Sequence, residues 1–149
     1  MLLTASQIAE LAEQTYRHPL NERAVRQTRS LGDAAGLLQL GVHYVRLAPG
    51  RESTEFHRHL MEEECIYVLE GRGLAEIGAE EIAVGPGDFM GFAAGGAAHG
   101  LRNDGPEDLV YLVVGQRLAV DVCDYPRAGK RMYRVGSDEH FVELGPARD

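Results

Sequence analysis

Tryptophan is absent from these 149 residues, lysine occurs once, at Lys130, and cysteine only twice. Cys65 and Cys123 form no CxxC pair and are too few for a disulfide framework in a chain of this length, so both read as small buried hydrophobes. No apolar run reaches the roughly 20 residues that a membrane span needs. The opening MLLTASQIAE is too short and too polar for a signal peptide, and the expectation is a soluble, cytoplasmic protein. Positive charge is also scarce. With 15 basic against 23 acidic residues the net charge is -8, and no basic run relieves it, so no nucleic-acid partner and no membrane partner is expected. Every basic residue except Lys130 is arginine, so a cation set into a pocket would be a permanently charged, bidentate guanidinium. That bias, with 18 Gly, matches a GC-rich bacterial genome.

What is present describes one compact domain: 44% hydrophobic, 26% charged, 18 Gly and 6 Pro, with no repeat, linker or low-complexity tract. A chain of this length buries roughly 70% of its unfolded surface, enough to enclose a site without disulfides. Thr4 and Gln7 have capping-box spacing, and Ile8, Leu11 and Ala12 share a stripe, which predicts a short amphipathic helix over Thr4 to Gln14 that ends near His18, ahead of Pro19. From Leu31 the period changes. A turn-like stretch, Gly32 to Gly36, leads into strand patterns at Leu38 to Tyr44 and beyond, Ile66 to Ile77, Glu81 to Val84, Phe89 to Phe92, Gly100 to Arg102 and Leu109 to Val114. Turn signals such as Glu70-Gly71-Arg72-Gly73 and Gly85-Pro86-Gly87-Asp88 separate them. Many short strands with no helical pattern between them indicate an all-β sandwich or barrel. Two further strands are expected at Arg131 to Val135 and Phe141 to Leu144.

The chemistry is concentrated in one stretch. His57 and His59 are i and i+2, so a strand presents both imidazoles on one face, about 6.6 Å apart along the chain. Two such rings can converge on one ion at the roughly 2.0–2.1 Å of a metal–nitrogen bond. Glu64 opens the next apolar strand, and a hairpin from His59 to Glu64 would return its carboxylate to the imidazoles.

Gly50, His57, His59, Glu64 and Gly71 resemble the first motif of the cupin superfamily, G(X)5HXH(X)3,4E(X)6G, with one extra residue after Gly50. Gly87, Gly95, His99 and Asn103 resemble the second, G(X)5PXG(X)2H(X)3N, with Ala93 in place of Pro and one extra residue before His99. The resemblance spans about residues 40 to 115. It implies a double-stranded β-helix, or jelly-roll barrel, holding one divalent metal ion (Fe, Mn, Ni or Zn) on His57, His59, Glu64 and His99. It also implies a homodimer. The expected organisation is a helix and arm over 1–30, the barrel over 31–115 and an extension over 116–149 packed on the barrel. Three neutral imidazoles and one carboxylate leave a divalent ion with a net charge of +1 and open positions. A small, anionic, oxygen-rich ligand would complete that site.

Other residues have plainer readings. Glu62 and Glu63 read as a solvated acidic turn, Glu55 as exposed, Asn103 as a turn former, His18 as a turn residue, and Met90 and Phe92 as cavity wall. His43 and His140 have no partner in sequence. Arg46, Arg72, Arg102 and Arg117 are candidates to anchor an anion, and Asp121 to Pro126 reads as a chain crossing over the barrel. Without a GxSxG or a phosphate loop, the ion would carry the reaction, and no general base stands out. The expected function is an enzyme acting on a small oxygenated acid or sugar derivative, as a dioxygenase, decarboxylase or isomerase. A non-catalytic module that senses a small molecule is the alternative, and a metal-free epimerase a third.

Overall fold

In the middle of the strand Glu64–Glu70 the side chains alternate, Ile66 and Val68 buried and Tyr67 exposed, as a strand with one face on a core requires. The computed structural model describes residues 1–145. Helix α1 (Ala5–Glu10) precedes β1 (Gln14–His18), β2 (Asn21–Ser30) and a second short helix, α2 (Leu31–Ala35). Then follow β3 (Leu40–Leu47), β4 (Arg58–His59), β5 (Glu64–Glu70), β6 (Gly73–Ile77), β7 (Glu80–Val84) and β8 (Phe89–Phe92). The chain ends through β9 (His99–Arg102), β10 (Leu109–Gln116), β11 (Val120–Tyr125), β12 (Lys130–Val135) and β13 (Asp138–Glu143).

These strands form three antiparallel sheets, ordered β1-β2-β3-β10-β5-β8, β13-β12-β11-β4 and β7-β6-β9. Isolated bridges, Glu52 to Arg102 and His57 to His99, link the segment before β4 to β9. The result is the all-β jelly-roll with a short N-terminal helix that the sequence predicts. Val45, Leu47, Val68, Leu101, Leu109 and Tyr111, each at 2% exposure or less, form its main core. Full burial of each leucine contributes roughly 1.5–3 kcal/mol. Gly71 belongs to that frame. Its φ is +77°, and a Cβ there would lie 2.2 Å from the Asp108 carbonyl oxygen, so the turn into β6 admits only glycine.

Three local expectations are corrected. The capping box of Thr4 and Gln7 forms, but α1 stops at Glu10 and residues 14 to 30 make a β-hairpin that extends the large sheet. Its strands carry polar residues on both faces and so show no legible alternation. The stretch read as a turn after Leu31 is α2, capped by the Ser30 side chain and closed by Gly36 in the left-handed region. His59 and Glu64 are not hairpin partners: β4 pairs with β11 and β5 with β10 and β8, so the chain crosses from one sheet to another between them.

Candidate metal centre

Backbone pairing places the first two imidazoles. His57 N–H donates to His99 O at 3.0 Å and His99 N–H to His57 O at 2.7 Å, which sets the ring centroids 4.6 Å apart. Extended backbone from His57 to His59 puts the His59 ring 4.9 Å from that of His57. The second motif holds this strand in turn: Gly95, at φ +71°, donates its N–H to the His59 carbonyl at 2.8 Å. Glu64 enters from the large sheet, where it stands opposite Phe92, and the Phe92 ring lies flat on that of His99, with centroids 3.5 Å apart.

Ligand atoms of His57, Glu64 and His99 all lie within 4.8 Å of one another. His59 joins this cluster through His57 and also falls in two flanking groups, one with His57 and Cys123, the other with Glu62 and Asp121. Burial pushes the Cys123 thiol up to about 12, so it stays neutral and is a poor donor beside imidazoles and a carboxylate.

Each imidazole turns its Nδ1 to an acceptor. His57 Nδ1 meets the Glu55 carbonyl at 2.9 Å, His59 Nδ1 the Asp121 Oδ2 at 2.6 Å, and His99 Nδ1 the Ala97 carbonyl at 3.5 Å. Anchoring at Nδ1 fixes the tautomer and leaves Nε2 as the free donor, the arrangement of metal-ligating histidines. It also sets the His99 Nε2 lone pair 3.3 Å from Glu64 Oε1. Two acceptors at that distance are stabilised by a shared proton or cation. The donor set therefore fits a divalent ion of the borderline kind that takes imidazole and carboxylate.

Electrostatics favour the same state. Burial presses His57 down to about 3, which keeps it neutral. Burial works to raise Glu64, but its close contact with His99 and the neighbouring His57 and His59 prevail and hold it down to about 2, so it is ionised. His59 is drawn down by burial and up by Asp121 and Glu64, and the acids win.

Asp121 is the main residue that the sequence did not reveal. It is fully buried, and its second oxygen accepts the N–H groups of Met61 and Glu62, each at 3.3 Å. The segment read as a mere crossing is thus β11, and it supplies the carboxylate that aims His59. Counting Asp121, the charge around a divalent ion falls from the expected +1 to zero. Two other acids read as exposed are buried: Glu55 lends its carbonyl to His57, and Glu62 accepts from Leu118 N–H at 2.7 Å and from Arg134. Asn103 is structural as expected, donating to the Leu47 and Glu107 carbonyls.

The cluster opens into a cavity of about 300 Å³ whose walls also carry His18, His43, Arg26, Tyr111 and Tyr125. His18 Nδ1 accepts from Leu20 N–H at 3.1 Å. The His43 imidazole has no hydrogen-bond partner among the described residues, and burial first, then Arg26 and Arg117, hold it below its ordinary value. Of the arginines nominated from sequence only Arg117 reaches this cavity.

The cupin-domain family model matches residues 43–115. A crystal structure from Acidithiobacillus ferrooxidans, provisionally assigned as a sugar phosphate isomerase, is 46% identical, covers 99% of this chain and 95% of its own, and superposes with a TM-score of 0.95. A second, described as a sugar phosphate isomerase of the cupin superfamily from Silicibacter pomeroyi, is 30% identical over 96% of this chain and 92% of its own, with a TM-score of 0.84. This chain is a cupin. A third structure, from Thermotoga maritima and provisionally assigned as an oxalate decarboxylase, is 23% identical over 79% of the cupin and 100% of its own chain, with a TM-score of 0.65, and shares the fold. No curated protein matches the chain.

Proposed function

We propose that this cupin is a metal-dependent isomerase acting on a small sugar phosphate. The observation that carries the reading is the set of three imidazoles, each anchored at Nδ1, gathered with an ionised Glu64 over one small cavity. A cavity of about 300 Å³ suits a ligand of few carbons. Likeness to two proteins described as sugar phosphate isomerases supports the substrate class.

His57, His59, Glu64 and His99 would hold the ion, which when bound polarises the adjacent hydroxyl and carbonyl oxygens of the sugar as a Lewis acid. Asp121 keeps His59 in the tautomer that ligation requires. His43 takes the proton from one carbon of the sugar and returns it to the neighbouring one, while the hydroxyl proton passes from the oxygen that becomes the carbonyl to the oxygen that was one. It is the imidazole on the cavity wall outside the cluster whose nitrogens are uncommitted, and it is neutral, so it can accept a proton at neutral pH. Phe92 covers one face of the His99 ring, and the buried Tyr111 adds an aromatic wall to the cavity.

The test is turnover by the metal-loaded protein across a panel of aldose and ketose phosphates, with the same panel lacking phosphate beside it. Interconversion of an aldose phosphate and its ketose is the expected result. Tight binding without turnover would instead assign a sensing module, and oxygen uptake with a redox-active ion would assign a dioxygenase.

A further inference from the structure

Three arginines line the cavity, and two of them are neutralised. Arg117 Nη1 donates to Asp33 at 2.6 Å, and Arg134 donates to Glu62. Arg26 makes a single hydrogen bond, from Nη1 to the Ser53 carbonyl at 2.5 Å, and no carboxylate among the described residues pairs with it. Its Nε is buried without any acceptor, the only buried side-chain nitrogen or oxygen among the described residues left in that state. Folded proteins pair such groups almost without exception, and a desolvated permanent cation is the most costly to leave unpaired.

The unpaired edge has a shape. With Nη1 committed to Ser53, the remaining edge of the guanidinium is Nε with Nη2, two parallel N–H donors spaced for the oxygens of a phosphate or carboxylate. The Tyr16 ring, 4.3 Å from the guanidinium carbon, fixes its plane. Ser53 ties this group to the cluster: its N–H donates to the Leu101 carbonyl at 2.8 Å, and Leu101 lies two residues beyond His99 on β9. Because Asp121 cancels the surplus charge expected around a divalent ion, the cluster itself offers an anion little attraction, and the unpaired cation of the cavity stands at Arg26.

We propose that Arg26 is the anchor for the anionic end of the substrate, a phosphate or carboxylate held by the Nε–Nη2 edge while the uncharged end lies against the cluster. This rests on the reading of the cavity as a substrate site. It adds the residue that selects phosphorylated or acidic substrates over neutral sugars.

The experiment is isothermal titration of the metal-free protein at constant ionic strength, with inorganic phosphate in one arm and acetate in the other, for wild type, Arg26→Lys and Arg26→Met. Manganese stoichiometry is measured on the same three proteins. Wild type is expected to bind one of the two anions saturably, and that arm names the headgroup. Arg26→Met weakens it at least tenfold, Arg26→Lys, which keeps the charge and loses the fork, weakens it less, and all three load manganese equally. Should Arg26→Met not fold, the Lys variant with an unchanged melting midpoint carries the test alone. Saturable binding of neither anion by wild type, or equal affinity in wild type and variants, overturns the proposal. Since the titration uses no metal, a failure of the isomerase reading, seen as a wild type that loads no ion, is read separately.

Discussion

On β3 the inward positions are His43, Val45 and Leu47, and on β5 they are Glu64, Ile66 and Val68. On β9 His99 is followed inward by Leu101. In each strand a titratable residue faces the cavity, and the inward residues that follow it close the core, two of them on β3 and β5 and one on β9. The mouth and the floor of the barrel are thus made by the same strands under the same alternation. Pleating decides that a side chain points inward, and its place along the strand decides whether it meets water, an ion or only other hydrocarbons. The floor stabilises the fold, and that stability lets the mouth hold buried imidazoles, acids and an unpaired guanidinium.

Changes at the mouth should therefore alter chemistry with little loss of stability, and changes at the floor the reverse. The largest effect is expected from His43→Gln: removal of a proton-transferring group lowers turnover about 10²- to 10⁴-fold, with metal content and melting midpoint held. A loss of metal or a cooperative collapse in that variant would place His43 in the framework instead. Next comes Leu109→Ala at the floor. Leu109 has no exposure, and the cavity left behind should cost about 2–5 kcal/mol in urea unfolding. Metal stoichiometry should stay at the wild-type value, and a drop in it would show that floor and mouth are not separable.

Asp121→Asn tests the boundary between the two. An amide of the same shape cannot hold the His59 tautomer as the carboxylate does, so metal affinity should fall about 10- to 100-fold. The dissociation constant from chelator competition measures this, and an unchanged constant would reduce Asp121 to a backbone clamp for Met61 and Glu62.

The smallest effect is the pH dependence of the metal-free protein. His57 is held down to about 3 by burial, so the unfolded chain takes its proton first and stability falls as pH drops below about 6.5 towards 3. Glu64, held down to about 2, removes more below about 4.5. His59 is raised, so its contribution is complete below about 6.5 and is lost as pH rises through its own higher value, which partly offsets His57. Stability against urea should fall between pH 7 and pH 5, and His57→Gln should flatten that profile. A steeper profile in the variant would contradict the neutral burial of His57.

The motif residues were legible because each motif is local: His57 and His59 are two apart, and His99 keeps its spacing to Asn103. The fold gathers His57, Glu64 and His99, with His59 attached through His57. Asp121, Arg26 and His43 were not legible, since they lie on β11, β2 and β3 and meet the cluster only through sheet pairing and packing. Glu55 and Glu62 misled for a related reason: an acid beside a turn looks solvated until a distant segment covers it, as Leu118 and Arg134 cover Glu62. Among the elements, the strands with one buried face were read well. The β1–β2 hairpin was missed because its burial pattern, exposed along most of β1 and partly buried along much of β2, leaves no alternation to read.

The central claim is that the mouth of this barrel holds one divalent ion on His57, His59, Glu64 and His99. Elemental analysis of the purified wild type beside the His57→Ala, His59→Ala double variant tests it most directly. About one equivalent of a transition metal in the wild type and none in the folded double variant is the expected result. A full equivalent retained by the double variant, or none in a wild type offered Fe, Mn, Ni and Zn in turn, would contradict it.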